Sequence, residues 1–165
     1  MLKYPDSVII TIDDDAIYPN TFIEDCINAY KEFPTVVNAG RVHKVKYENN
    51  RLLPYKQWEW ESQEIEPSYD LFFTGVAGVV YPPNAFNEDL DLDIINEYLR
   101  VDDIVLNVLC RKHNIKVRRI PMRNNYKDIN ILPAKYNLCT YNTMYNNDIQ
   151  LKKINFEKLL WERKE

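Results

Sequence analysis

The sequence predicts an α/β domain with a mostly parallel sheet flanked by helices, and three observations carry that prediction. Short apolar runs rich in Ile and Val alternate with segments of helical period, in the order strand, helix, strand, long excursion, strand, helix, strand, tail helix. The first apolar run stops at three consecutive carboxylates, a place where open α/β sheets bind ligands. The chain is 45% hydrophobic and 13% aromatic, enough to fill a core, and its 165 residues make one domain the default.

The elements follow in order. Val8-Ile9-Ile10-Thr11-Ile12 has the composition of a strand buried on both faces, and Asp13-Asp14-Asp15 forces the chain out of the sheet. Pro19 fixes a turn, and Asn20 is a good N-cap for a helix over 20–33. Phe22, Ile23, Cys26, Ile27, Tyr30 and Phe33 make its apolar face, and Pro34 ends it. Val36 to Gly40 reads as the next strand, followed by a basic patch of Arg41, His43, Lys44 and Lys46. Residues 47–69 lack clear periodicity and cluster Tyr55, Trp58 and Trp60; they predict a long excursion over the sheet. Residues 71–83 are strand-like at both flanks, with Gly75 and Gly78 marking a bend or a close backbone approach and Pro82-Pro83 the end. Asp89, Asp91 and Asp93 alternate like the start of a calcium loop. Ile94 where Gly is required and Arg100 where Glu is required exclude an EF-hand, which leaves a solvated acidic loop. A helical turn at 94–98 precedes a helix opened by Val101-Asp102-Asp103, with Ile104, Val105, Val108 and Leu109 on its apolar face and His113 near its C-terminus. Residues 115–120 predict a strand ended by Pro121, amid Lys116, Arg118, Arg119 and Arg123. Residues 124–145 read as loop. Asn147 and Gln150 have capping-box spacing for a last helix reaching about Lys164, with Ile149, Ile154, Leu159 and Leu160 among its apolar residues.

Bulk properties exclude several classes. A net charge of −4 argues against a general nucleic-acid binder. No run has the length of a transmembrane helix, and the start lacks the apolar core of a signal peptide. Cys26, Cys110 and Cys139 are odd in number and lack zinc-knuckle spacing, which predicts free thiols in a reducing cytosol.

Asp13, Asp14 and Asp15 repel one another unless a cation sits among them, and an all-oxygen donor set selects a hard ion, Mg²⁺ or Mn²⁺. A solvated acidic turn that caps a helix is the plainer reading of the same residues. Asp102 and Asp103 in turn read as an N-cap and a dipole partner, or as something more.

Three segments occur in register with one family: Thr11-Ile12-Asp13-Asp14-Asp15-Ala16-Ile17-Tyr18-Pro19, Phe73-Thr74-Gly75-Val76-Ala77-Gly78-Val79-Val80-Tyr81-Pro82-Pro83 and Val101-Asp102-Asp103-Ile104-Val105-Leu106. Together they resemble bacterial glycosyltransferases of the GT-A fold, family-2-like. The nearest branch carries DDD-x-I-Y-P, T-G-x-x-G-x-x-Y-P-P and A-D-D-I/V-W/V-L stretches. Tyr55-x-x-Trp58 and Asn147-Asp148-x-Gln150 match that branch too. The resemblance runs over most of the chain, and its specificity lies in the ordered set.

The resemblance implies a partial GT-A (Rossmann-like) fold over 1–165, with 1–123 the catalytic α/β part and 124–165 loop and C-terminal helix. It departs from the family in starting a few residues before the DxD strand. The nucleotide-binding half is therefore expected to be absent, by truncation or a misassigned start, or to be supplied by another chain. Val101 stands where the branch has a small residue, and neither His43 nor His113 sits where the family's late metal-ligating His belongs.

The implied activity is transfer of a sugar from a nucleotide-sugar donor to the hydroxyl of a saccharide or lipid-linked glycan acceptor, dependent on Mn²⁺ or Mg²⁺, with inversion. It belongs to surface-polysaccharide synthesis in the bacterial cytoplasm, with peripheral association at the inner membrane face and no nucleic-acid partner. Asp15, with Asp13, is implied to hold the metal. Asp13 is also implied on the ribose side of the donor, with Asp14 able to stand in. Asp103 is the implied general base, and Asp102 orients the acceptor or raises its neighbour's pKa. Gly75 and Gly78 are implied to leave room for donor or acceptor. Tyr55 and Trp58 offer faces for sugar rings, or are ordinary core or lid aromatics. The alternatives are a non-catalytic remnant of such an enzyme or another Mg²⁺-dependent α/β transferase. A haloacid-dehalogenase-like nucleophile motif is excluded by Ile17, where that motif needs Thr.

Overall fold

The structure, a computed structural model, describes residues 3–86, 102–128, 142 and 146–161. The acidic loop expected at 88–93, the helical turn at 94–98, Val101, Cys139, most of 124–145 and the last residues of the tail helix lie outside them.

The central sheet has four strands in the order β1 (Ile9–Thr11), β8 (Val79–Tyr81), β3 (Val37–Ala39), β9 (Val117–Arg119). β8 is antiparallel to both β1 and β3, and β3 is parallel to β9. The expectation of a mostly parallel sheet is thus corrected: two of its three pairings are antiparallel. The cause is the position of one strand. β1, β3 and β9 all run the same way, since each is followed or preceded by a helical crossover of the kind parallel strands need. β8 alone arrives through a tight turn, runs backwards, and is inserted between β1 and β3. β1 is also an edge strand, with Ile9 and Ile10 half-buried and Thr11 exposed, where burial on both faces was expected.

The two faces of the sheet follow strand alternation. Ile10, Val80 and Ile120 pack with Phe22, Cys26 and Ala29 of α1 (Phe22–Glu32). Ile9, Val37, Ala39, Val79, Tyr81 and Val117 pack on the other face with Val105, Leu109 and Cys110 of α2 (Asp102–Lys112). The domain is therefore three layers deep around this sheet. Thr21, not Asn20, is the N-cap of α1, and its hydroxyl bonds to Asp25 at 3.2 Å.

The excursion is more ordered than its sequence suggests. β4 (Val42–Lys44) pairs antiparallel with β7 (Leu71–Phe73), and the return segment bridges β4 at Lys44 and Glu59. β5 (Tyr47–Glu48) and β6 (Arg51–Leu52) form a hairpin whose turn residues Asn49 and Asn50 both have positive φ. A 3₁₀ turn at Tyr55–Gln57 follows. The tail is two helices, α3 (Asn147–Lys153) and α4 (Phe156–Trp161), rather than one. Asn146, not Asn147, caps α3, with Gln150 Nε2 donating to Asn146 Oδ1 at 3.1 Å. Leu151 and Phe156 seal a second core with Val45, Tyr55, Trp58, Phe72 and Ile104. β2 (Ala16–Ile17) pairs with β10 (Lys127–Asp128) beyond the sheet edge. Cys26 and Cys110 are buried free thiols, pushed up to about 12 by burial. No helix among the described residues is long and apolar enough to cross a membrane.

Candidate active site

The shared direction of β1 and β3 and the reversal of β8 bring three connections to one sheet edge: the triple-Asp turn after Thr11, Gly40-Arg41 after Ala39, and the glycine turn before Val79. This is the carboxyl edge, where α/β sheets bind ligands.

The glycine turn is the pivot. Thr74 is extended, Gly75–Ala77 makes a 3₁₀ turn, and Gly78 leaves it with φ 81°. That φ suits glycine, and a Cβ at Gly78 would run into the Phe22 ring. The space over Gly78 is thus filled by the protein itself, against the expectation that it leaves room for substrate. Gly75 is different. A Cβ built there would lie 3.4 Å from Asp103 Oδ1 and 3.4 Å from Asp13 Oδ1. The two carboxylates therefore converge on one glycine and lie within twice that distance of each other.

Each carboxylate is positioned by a polar contact to this turn. The Gly75 N–H donates to Asp103 Oδ1 at 2.9 Å. Asn107, fully buried one helical turn along α2, locks the same helix to β7. Its Oδ1 accepts from the Phe73 N–H at 3.1 Å, and its Nδ2 donates to the Phe73 carbonyl at 3.0 Å and the Asp103 carbonyl at 2.7 Å. On the other side Tyr18 holds the triple-Asp turn. Its hydroxyl accepts from the Asp13 N–H at 2.9 Å and donates to the Val76 carbonyl at 2.7 Å. The Tyr18 ring packs on Phe22, the residue that fills the space over Gly78.

Burial, more than any charge, pushes the Asp103 carboxyl up to about 7. Asp102 and Asp13 add repulsion, while the Gly75 N–H and the Arg41 charge pull the other way. Asp102 is exposed on the first turn of α2, and Asp14 and Asp15 are exposed on their turn. Tyr18 is also raised, first by burial and then by the charges of Asp13 and Asp15, while the Asp13 backbone bond opposes the rise. Tyr81 is near enough to Asp103 to feel its charge. Its hydroxyl is held well above its usual range by burial, with a smaller push from Cys110 and Asp103.

Among the described residues, no group of three or more His, Cys, Asp or Glu side chains comes together to cage a metal ion. Two carboxylates meeting at a solvent-accessible turn fit the other mode, in which a hard cation takes one or two protein carboxylates and completes its shell with a ligand's phosphate oxygens. Asp13 lies against this turn and Asp15 is exposed one residue beyond Asp14, and these are the carboxylates that could hold such an ion.

Tyr55 and Trp58 correct the expectation that they present faces to sugar rings. They are 4% and 3% exposed, packed against each other, Phe72 and, for Trp58, Phe156. Trp58 Nε1 is spent on the Leu53 carbonyl at 2.9 Å. Trp60, like Tyr47 at the start of the segment, stands exposed. Sequence reasoning also passed over Arg41, Tyr18 and Asn107 as site residues. For Arg41 a signal was present, a lone guanidinium directly after a glycine that ends a strand. Tyr18 and Asn107 act through hydrogen bonds that no spacing announces.

No protein-family model matches the chain, and no curated protein matches it in sequence.

Proposed function

We propose that this chain is a metal-dependent glycosyltransferase, moving a sugar from a nucleotide-sugar to a hydroxyl of a saccharide or lipid-linked glycan, with inversion at the anomeric carbon. The observation that carries the reading is the meeting of Asp13 and Asp103 over Gly75. One carboxylate comes from an exposed, multiply acidic turn suited to a cation and a diphosphate. The other comes from a drier place and is poised near neutrality, as a general base should be.

In this reading Asp103 takes the proton of the acceptor hydroxyl. The acceptor oxygen bonds to the anomeric carbon, and the electron pair of the broken carbon–oxygen bond leaves on the nucleoside diphosphate. A base on the face opposite the leaving group gives inversion. Mn²⁺ or Mg²⁺, when bound, supplies positive charge to that diphosphate. Asp15, with Asp13, would hold the ion, Asp13 would also lie on the ribose side of the donor with Asp14 able to stand in, and Gly75 keeps the floor between the carboxylates open. Asp102 orients the acceptor. The same reading has the enzyme act in the cytoplasm, at the membrane face when the acceptor is lipid-linked.

Calorimetric titration of the folded chain with UDP and with GDP, each with and without Mn²⁺, tests the reading. Binding that requires Mn²⁺ and is lost in Asp15→Ala is expected. Failure of both nucleotides to bind in the presence of Mn²⁺, or binding indifferent to the metal, overturns it.

A further inference from the structure

Trp60 is 38% exposed, whereas Tyr55 and Trp58 just before it are buried. Its ring is supported rather than dangling. It lies 4.7 Å from the His43 ring and 5.6 Å, edge to face, from Tyr55. His43 is itself 1% exposed and accepts the Glu61 N–H on Nδ1 at 3.0 Å, so its hydrogen sits on Nε2 and the ring is neutral. Burial and the nearby Arg41 charge hold it so, down to about 3.

The residue after Trp60 completes a polar flank. Glu61 has φ 50°, a left-handed conformation uncommon for a residue with a side chain. Its carboxylate stands 3.4 Å from Arg41 Nε and is 65% exposed. That Nε is shielded from solvent and makes no hydrogen bond at that distance. Arg41 in turn is close enough to Asp103 for its charge to act on that carboxyl. Trp60 lies on the His43 ring, the Glu61 N–H donates to that same ring, Glu61 stands beside Arg41, and Arg41 and His43 alternate onto one face of the β4 segment.

The chemistry of that cluster is specific. A backed indole face takes the C–H face of a pyranose, and a carboxylate beside a guanidinium supplies an acceptor and donors to adjacent ring hydroxyls. A purely apolar partner would leave the Arg41–Glu61 pair desolvated, and an anionic one would meet Glu61. We propose that Trp60, Glu61 and Arg41 form a subsite for a neutral sugar ring of the acceptor, near Asp103. The acceptor assignment rests on the glycosyltransferase reading; the saccharide site does not.

The test is the indole ¹⁵N–¹H spectrum of the full chain, titrated with methyl β-glucoside, methyl β-galactoside and methyl N-acetyl-β-glucosaminide. Trp60→Phe identifies the Trp60 resonance and reports whether that variant folds. Saturable movement of the Trp60 signal with one of these sugars, with Trp58 unmoved, is expected, weakened at least tenfold in Arg41→Gln and in Glu61→Gln. No movement with any of the three, or movement unchanged in both variants, overturns the subsite. The second would mean an exposed indole acting alone. The nucleotide titration is run on Trp60→Phe in parallel. Sugar binding without Mn²⁺-dependent nucleotide binding sinks the transferase reading and with it the acceptor role, while the saccharide site stands. Nucleotide binding without sugar binding sinks the subsite alone.

Discussion

The Asp13–Asp15 turn and the first turn of α2 bring the half-buried Asp13 and Asp103 to the same glycine, yet they anchor them differently. The turn hangs from an edge strand, and its Asp14 and Asp15 are exposed. The helix is pressed onto β7 by Asn107, and Asp103, half-buried and bonded to the Gly75 N–H, is pushed up to about 7, chiefly by desolvation. The difference teaches that anchoring, not residue type, sets what each can do: a carboxyl desolvated at a helix start beside like charge is pushed up towards neutrality and suits proton transfer, while Asp14 and Asp15 stand exposed on their turn.

The largest effect expected from disturbing this contrast is on rate. Asp103→Asn keeps an oxygen for the Gly75 N–H but cannot take a proton, so sugar transfer should fall by about 10²–10⁴-fold. Nucleotide affinity measured by calorimetry should stay nearly unchanged. Asp15→Ala should show the reverse pattern, with the loss in Mn²⁺-dependent binding. If both variants lose binding alike, the two carboxylates are not divided in role.

Next in size is a contrast between the glycines. Gly78→Ala forces a side chain into a left-handed conformation and against Phe22, and should cost roughly 2–4 kcal/mol in chemical denaturation. Gly75→Ala meets only ordinary contacts and should cost about 1 kcal/mol or less. Its damage should fall on nucleotide binding instead, because the new methyl sits between Asp13 and Asp103.

A smaller effect is in the pH dependence of stability. The Asp103 pKa is raised in the folded protein, so below the unfolded value of about 4 both states are protonated and the shift costs nothing. Between about 4 and about 7 the unfolded chain releases the proton first, and stability falls as pH rises. Asp103→Asn should therefore gain on the order of 1–3 kcal/mol over the parent at pH 8 and almost nothing at pH 4, read from paired denaturation curves. His43 works in the opposite sense. Its pKa is lowered to about 3, so its contribution is whole above about 6.5 and declines as pH falls. Removing Asp103 should unmask that rising slope.

The smallest effect tests the latch. Tyr18→Phe removes the bridge between the Asp13 N–H and the Val76 carbonyl at a cost of about 1 kcal/mol. Mn²⁺-dependent nucleotide affinity should drop several-fold if the latch positions Asp13. A stability loss with affinity intact would make Tyr18 only a tie between two turns.

Much of this architecture is legible in the chain because it follows from local rules. The period of Phe22, Cys26 and Tyr30 and the breaks at Pro34 and Pro121 bracket α1 and the end of β9 where they are found, although Ile23 and Ile27, read onto the same apolar face, are exposed. The carboxylate pairs and the glycine turn stand out by composition alone. Strand direction does not, because Val79-Val80-Tyr81 has the same apolar character whether its neighbours run with it or against it. The difference between Trp58 and Trp60 is also hidden. They are two residues apart in an aperiodic segment, and what buries Trp58 alone, the Phe72 and Phe156 rings and the Leu53 carbonyl, comes from elsewhere in the fold. Asn107 was invisible for a related reason. A polar residue inside an apolar helical stripe acquires meaning only when the backbone of β7, distant in sequence, arrives beside it.

The most direct test of a shared site is the titration of the Asp103 carboxyl, followed by carboxyl-carbon NMR in metal-free protein and repeated in Asp13→Asn. The account predicts a midpoint of about 7 in the parent and a lower one in the variant, where a repelling charge is gone. A midpoint in the ordinary range near 4, indifferent to Asp13, would mean that the two carboxylates do not meet and that the site has another organisation.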